Sequence, residues 1–170
     1  MKALIVYYSN SGTTKVLAEK VAAAIGGDLE EIVEQRPRPR LVDGEGKPTG
    51  GFIMARSALS AFLGIGSSIK PGNADPAAYD VVIVGTPVWV GSLVPPVRSY
   101  LKRNRKKMKA VALFCSCGQN EKLRAISQMA GVASMEPLAT MTVEADDVKK
   151  GECEQAVRDF SARIRSASTA

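Results

Sequence analysis

The sequence predicts an α/β protein built as three layers around a doubly wound, five-stranded parallel sheet. Two observations carry that reading. Apolar runs of strand length recur along the chain with helical patterns between them, and such βαβα alternation places helices on both faces of one sheet. The first run, Ala3–Tyr8, also breaks at once into Ser9-Asn10-Ser11-Gly12-Thr13-Thr14, a loop of hydroxyl, amide and glycine residues that opens a helix. At 170 residues and 45% hydrophobic content, the chain suits one domain over residues 1–166 with a frayed tail at 167–170. Folding at this length buries roughly 70% of the extended chain's surface.

The elements follow in order. After the strand Ala3–Tyr8, Leu17, Val21, Ala24 and Ile25 recur at helical spacing until Gly26-Gly27 stops the helix. Asp28–Val33 is the second strand. Val81–Gly85 and Ala110–Cys115 are solid apolar runs, as central parallel strands show, and Leu138–Val143 is the fifth and weakest. Helices are expected at Val94–Asn104, Glu121–Ala130 and Glu152–Arg165, the last with Cys153, Val157, Phe160 and Ile164 on one face. Residues 36–78 are long for one crossover. They hold a basic stretch (Arg36, Arg38, Arg40), glycine-rich loops and Phe52–Leu63, a helix apolar nearly all round and so read as a covering helix.

Composition narrows the chemistry. Lys and Arg number 23 against 17 acids, giving a net charge of +6, which favours acidic partners. With no histidine, His-based triads, proton relays and His-ligated metals are excluded. Cys115, Cys117 and Cys153 make no disulfide framework, and they supply too few thiols for a four-ligand Cys/His metal site. Neither a signal peptide nor a spanning apolar run is read, so a cytoplasmic protein is expected. Seven of the twelve residues from Arg98 to Lys109 are basic. They end a helix that starts near the ligand pole, where cations complement the dipole, and no aromatics are interleaved, so no nucleic-acid partner is expected.

The loop after the first strand has the chemistry of an anion site. First-turn N–H groups lack intrahelical partners, the helix dipole adds positive charge, and Ser9, Ser11, Thr13 and Thr14 add hydroxyls around one phosphate. It matches neither the nucleotide P-loop nor the G-x-G-x-x-G dinucleotide loop. The alternative is a serine-rich helix cap that binds nothing. Ligands in such folds sit at the carboxyl ends of the strands, so the loops after the third and fourth strands should converge on the same place. One is Thr86-Pro87-Val88-Trp89-Val90-Gly91, holding the single tryptophan, and the other begins Cys115-Ser116-Cys117-Gly118. An indole at a loop tip is suited to lie against a flat π-system; the alternative is that it folds back over a helix.

The loop Ser9–Thr14 and the pattern G-T-P-V-W…G…P-P-V-R over Gly85–Arg98 resemble the flavodoxin-like FMN-binding family. That resemblance spans essentially the whole chain and implies the strand order 2-1-3-4-5. It implies that Ser9, Asn10, Ser11, Gly12, Thr13 and Thr14 hold the phosphate of FMN. It also implies that Thr86, Pro87, Val88, Trp89 and Gly91 contact the isoalloxazine, and that Cys117 and Gly118 offer backbone N–H groups to its pyrimidine edge. No residue is assigned a catalytic role, because the flavin carries the chemistry. The chain departs from carrier flavodoxins in its basic charge and in having no second aromatic at Ser116–Asn120. Both departures favour a flavoenzyme passing electrons from NAD(P)H to a quinone-like acceptor. A carrier without its own substrate and a flavin-free binding module remain as alternatives.

Overall fold

A computed structural model describes residues 1–36, 66–118 and 124–168. The expected helix Phe52–Leu63, together with Arg38, Arg40, Arg56, Gln119 and Asn120, lies outside the described residues. The described elements are β1 (Ala3–Tyr7), α1 (Thr13–Ile25), β2 (Asp28–Glu31), a 3₁₀ turn (Pro76–Ala78), β3 (Val81–Trp89) and β4 (Ser92–Leu93), then α2 (Pro95–Asn104), β5 (Val111–Cys117), α3 (Ala125–Ala133), β6 (Thr140–Glu144), α4 (Ala145–Lys150) and α5 (Glu154–Ser168).

The strands pair in the order β2-β1-β3-β5-β6, all parallel, with β4 folded back antiparallel on β3. Leaving aside the two-residue β4, this is the expected order 2-1-3-4-5. The side chains of β1, β3 and β5 alternate between two apolar cores. Ile5, Tyr7, Ile83 and Phe114 meet α1 and α5 through Leu17, Val21, Phe160 and Ile164 on one face. Leu4, Val6, Val82, Val84 and Leu113 meet α2 and α3 through Val97, Leu101 and Met129 on the other. Every residue of β5 is buried, as a strand covered on both faces requires. Among the described residues no helix is long and apolar enough to cross a membrane.

Several boundaries differ from expectation, each for a local reason. β2 ends at Glu31, because the chain beyond it turns to pair with a later segment: Glu34 bridges Ile69 antiparallel, while the Gln35 N–H donates to Ser68 O (2.9 Å) and the Lys70 N–H to Val33 O (2.8 Å). β3 does not stop at Gly85 but runs to Trp89, since Thr86 and Pro87 still pair with Cys115 and Ser116. A short helix, Ala145–Lys150, follows β6, with Asp146 and Asp147 in its first turn and Lys149 and Lys150 in its last, the order its dipole favours. The final helix continues to Ser168. The basic run does end α2, where Lys107 pairs with Asp75 (3.3 Å) and Lys109 with Asp80 (4.0 Å).

One glycine is fixed by packing. Gly85 lies opposite Phe114 in the register, and a Cβ there would come well inside contact distance of Phe114 Cζ. That ring is fully buried and meets Phe160 edge-on at 6.3 Å, so it has little room to yield. Gly85→Ala is expected to lower stability by about 1–3 kcal/mol through overpacking, read as a drop in the urea midpoint at constant slope. An unchanged midpoint would show that the ring moves aside freely.

Candidate functional site

The site is built where β1, β3 and β5 reach their carboxyl ends. Tyr8 N–H donates to Gly85 O (3.3 Å), so the first loop leaves the sheet tied to β3. Gly12 is the N-cap of α1 with φ 96°, a backbone state that L side chains rarely adopt, and its N–H donates to Ser9 Oγ (3.1 Å). Its carbonyl accepts from Val16 N–H (3.1 Å), which starts the helix. No side chain caps this helix, so the amides of Thr13, Thr14 and Lys15 keep the donor capacity of an open first turn. A Cβ built on Gly12 would meet nothing within 4 Å, so the space beside this turn is open.

The hydroxyls divide into two roles. Ser11 is exposed, and Ser9, Asn10 and Thr13 are half-buried, with Ser11 Oγ 3.5 Å from Thr13 Oγ1. Thr14 is buried instead, its hydroxyl 2.8 Å from that of buried Ser116. That bond joins residues 102 apart and locks the first loop to the end of β5. Thr14 therefore presents its backbone amide to the open side and its side chain to the protein.

The second loop is a hairpin rather than an open loop. Trp89 pairs with Ser92 across a two-residue turn in which Val90 (φ 51°) and Gly91 (φ 71°) both lie in the left-handed region. Turns of that hand match the twist of the flanking strands. Valine is a poor occupant, because its branched Cβ crowds the backbone there. Val90 is also 64% exposed, so no packing repays the strain. The hairpin is braced by α3: Gly91 O accepts from Arg124 N–H (2.9 Å), and Leu93 N–H donates to Gln128 Oε1 (2.8 Å). Thr86 is fully buried, with its hydroxyl on Pro87 O (2.8 Å), while Pro87, Val88 and Trp89 are half-buried.

Trp89 packs partly against the α2–α3 core and meets Tyr8 edge-on, with centroids 6.1 Å apart and planes at 79°. Tyr8 in turn donates its hydroxyl to Glu34 Oε2 (3.1 Å). In the third loop Cys117 is buried with its thiol toward Val143 O (3.7 Å), and exposed Gly118 follows it. Cys115 Sγ lies 3.4 Å from Thr142 Oγ1. Both thiols face the β6 side, leaving the backbone of residues 117–118 as the contribution to the site. Among the described residues no group of three His, Cys, Asp or Glu side chains could hold a metal. Beside Tyr7, burial first and the Glu31 carboxylate second push the phenol pKa up to about 12, so it stays protonated near neutrality. A cavity of about 510 Å³, bordered by Ile69, Tyr100, Arg103 and Lys107, runs along α2 toward the other edge of the sheet and is separate from these loops.

The structure therefore brings the first two predicted loops and the described start of the third, Cys115–Gly118, to one edge of the sheet. Four contributors carried no sequence signal of their own: Tyr8, Glu34, Ser116 and Gln128. Tyr8 read as the last residue of a strand, and the others act on partners far away in the chain.

Residues 2–135 match the family model described as Flavodoxin. No curated protein matches the chain in sequence. Among solved structures, it is similar to a flavoprotein in complex with FMN from Lactobacillus acidophilus NCFM, with 26% identity over 88% of this chain and 97% of that one and a TM-score of 0.68. It is also similar to oxidised flavodoxin 2 from Bacillus cereus (17% identity, 98% and 99% covered, TM-score 0.55). Two-electron reduced Megasphaera elsdenii flavodoxin gives 17% identity, 99% of each chain covered and a TM-score of 0.58. The last two likenesses concern the fold alone.

Because Val90 is strained and exposed, Val90→Asn is expected to stabilise the flavin-free protein by about 1 kcal/mol, since asparagine tolerates positive φ. Thermal unfolding reads this directly, and a loss of stability would mean that the valine side chain packs usefully.

Proposed function

This chain belongs to the flavodoxin family, and on that premise we propose that its three-loop site holds FMN for electron transfer, with NAD(P)H as a direct donor and a small quinone-like molecule as acceptor. Its cofactor is FMN. The residues fit that group. The open first turn at Gly12, ringed by Ser9, Ser11 and Thr13, suits a terminal phosphate without a lysine or arginine in the loop. Trp89, Pro87 and Val88 offer a half-buried apolar wall for a flat ring, and the backbone at Cys117–Gly118 suits its polar edge.

FMN supplies one- and two-electron chemistry; the protein supplies grip, orientation and exclusion of water. The first-turn amides of α1 and the loop hydroxyls bind the phosphate and set its depth. Trp89, held by Tyr8, sets the plane of the ring. The backbone at Val90–Gly91, braced by Arg124 and Gln128, would hydrogen-bond the ring. No side chain of the chain is assigned a proton-transfer step.

The observation that carries direct substrate access is the third loop. Among the described residues of that loop, Ser116, Cys117 and Gly118 present no aromatic ring, which supports access of a flat acceptor to the face opposite Trp89. The basic residues Arg36, Arg38 and Arg40 attract anionic donors at low salt. The expected result is steady NAD(P)H oxidation with a small quinone and no added reductase, slowing as ionic strength rises. Failure of both nicotinamides, alongside efficient reduction by a reductase protein, would make the chain a carrier. Trp89→Ala is expected to weaken FMN binding by about 1–3 kcal/mol. It should cost the flavin-free fold less, about 0.5–1.5 kcal/mol for the lost ring pair. Fluorescence titration with FMN and thermal unfolding separate the two, and unchanged FMN affinity would remove Trp89 from the site.

A further inference from the structure

A buried carboxylate stands behind the indole. Glu34 is only 6% exposed, three residues past the end of β2, and accepts the Tyr8 hydroxyl at 3.1 Å. Its backbone is fixed by the antiparallel bridge to Ile69, with hydrogen bonds on either side from Gln35 N–H and Lys70 N–H. Tyr8 is equally buried, anchored through its N–H to Gly85 O, and its ring meets Trp89 edge-on. Burying a carboxylate is unfavourable, and an apolar side chain of similar size would fill the same space without that desolvation. What the side-chain acceptor oxygen adds is direction: a buried hydrogen bond from the phenol holds the outer end of the ring that donates it.

We propose that Glu34 is a positioning residue for the flavin-facing tryptophan, fixing the plane of the Trp89 indole through the Tyr8 hydroxyl. The chain of contact is short and each link is directional. The neck formed by residues 33–35 and 68–70 holds Glu34, Glu34 accepts the Tyr8 hydroxyl, and the Tyr8 ring meets the indole in a T-shaped contact. A T-shaped aromatic pair depends on the mutual angle of its rings, so freeing the hydroxyl frees the indole to tilt. The site thereby depends on a residue three positions past the end of β2, outside the three loop sequences themselves. The flavin part of this inference rests on the proposed function above; the indole part does not.

Trp89 is the only tryptophan, so emission excited at the red edge of indole absorption reports this position alone. The test compares full-length, flavin-free wild type with Tyr8→Phe, Glu34→Gln, Glu34→Leu and the Tyr8→Phe/Glu34→Leu double variant. Tyr8→Phe and Glu34→Leu should both lower emission anisotropy and shift the emission to the red. Glu34→Gln, which keeps an acceptor oxygen, should stay near wild type. In the Glu34→Leu background, adding Tyr8→Phe should change the indole signal no further, because the hydroxyl acts on the indole through the Glu34 acceptor. FMN affinity should fall about fivefold in the same two single variants, as the loss of one hydrogen bond implies. A wild-type indole signal in Tyr8→Phe, or additive effects in the double variant, would overturn the proposal. Should Glu34→Leu fail to fold, the contrast between Tyr8→Phe and Glu34→Gln still decides. If wild type itself binds no FMN, the flavin reading fails and the emission comparison still judges the positioning role.

Discussion

A parallel sheet covered on both faces gives its polar groups only two places to go, the two edges where the strands end. Here β1, β5 and the first six residues of β3 are buried, so most of their side chains are taken up by packing. The function is thereby pushed to the carboxyl ends, where loops meet solvent and one helix N-terminus opens. Everything distinctive about the site is a response to that constraint. Loops far apart in sequence must be made to stand at fixed distances, although each is only a few residues long.

The structure meets it with hydrogen bonds between strand ends rather than with bulk. Thr14 and Ser116 join the first loop to the third; Tyr8 and Gly85 join the first to the second; Arg124 and Gln128 hold the hairpin from the helix that follows. Such bonds contribute about 1 kcal/mol each to stability, which matters less here than their geometry. In the proposed site a phosphate would be held by amides and a helix dipole, with no cation in the loop. Binding of that kind is pre-organised by the backbone and little affected by side-chain rotamers. The strained Val90 fits the same logic, because the turn hand that closes the hairpin outweighs the preference of the residue placed there.

Much of this was legible in the sequence. Solid apolar runs marked β1, β3 and β5 because central parallel strands carry no alternation, and Gly26-Gly27 marked the stop of α1, where Gly26 takes φ 75°. The glycine at position 12 and its hydroxyl neighbours gave the first loop away. The extension of β3 through Trp89 was not read, because Val90-Gly91 lacks the Asn or Asp that usually announces such a turn. Thr14 was legible as a loop hydroxyl but not as one that faces inward, since its partner lies 102 residues on. Glu34 gave no signal at all. A lone glutamate after a short edge strand reads as solvated, and the neck pairing and the phenol 26 residues earlier that help to bury it are both distant in sequence or invisible to local pattern.

The central claim is that one ligand, FMN, is held jointly by three loops at the carboxyl edge. Amide chemical-shift mapping of the full-length chain during FMN addition tests it most directly. The account predicts saturable shifts concentrated at Ser9–Lys15, Thr86–Gly91 and Cys117–Gly118, with weaker changes at Tyr8 and Glu34. Shifts confined to one loop, or clustered instead around Ile69, Tyr100 and Arg103 at the cavity along α2, would contradict it.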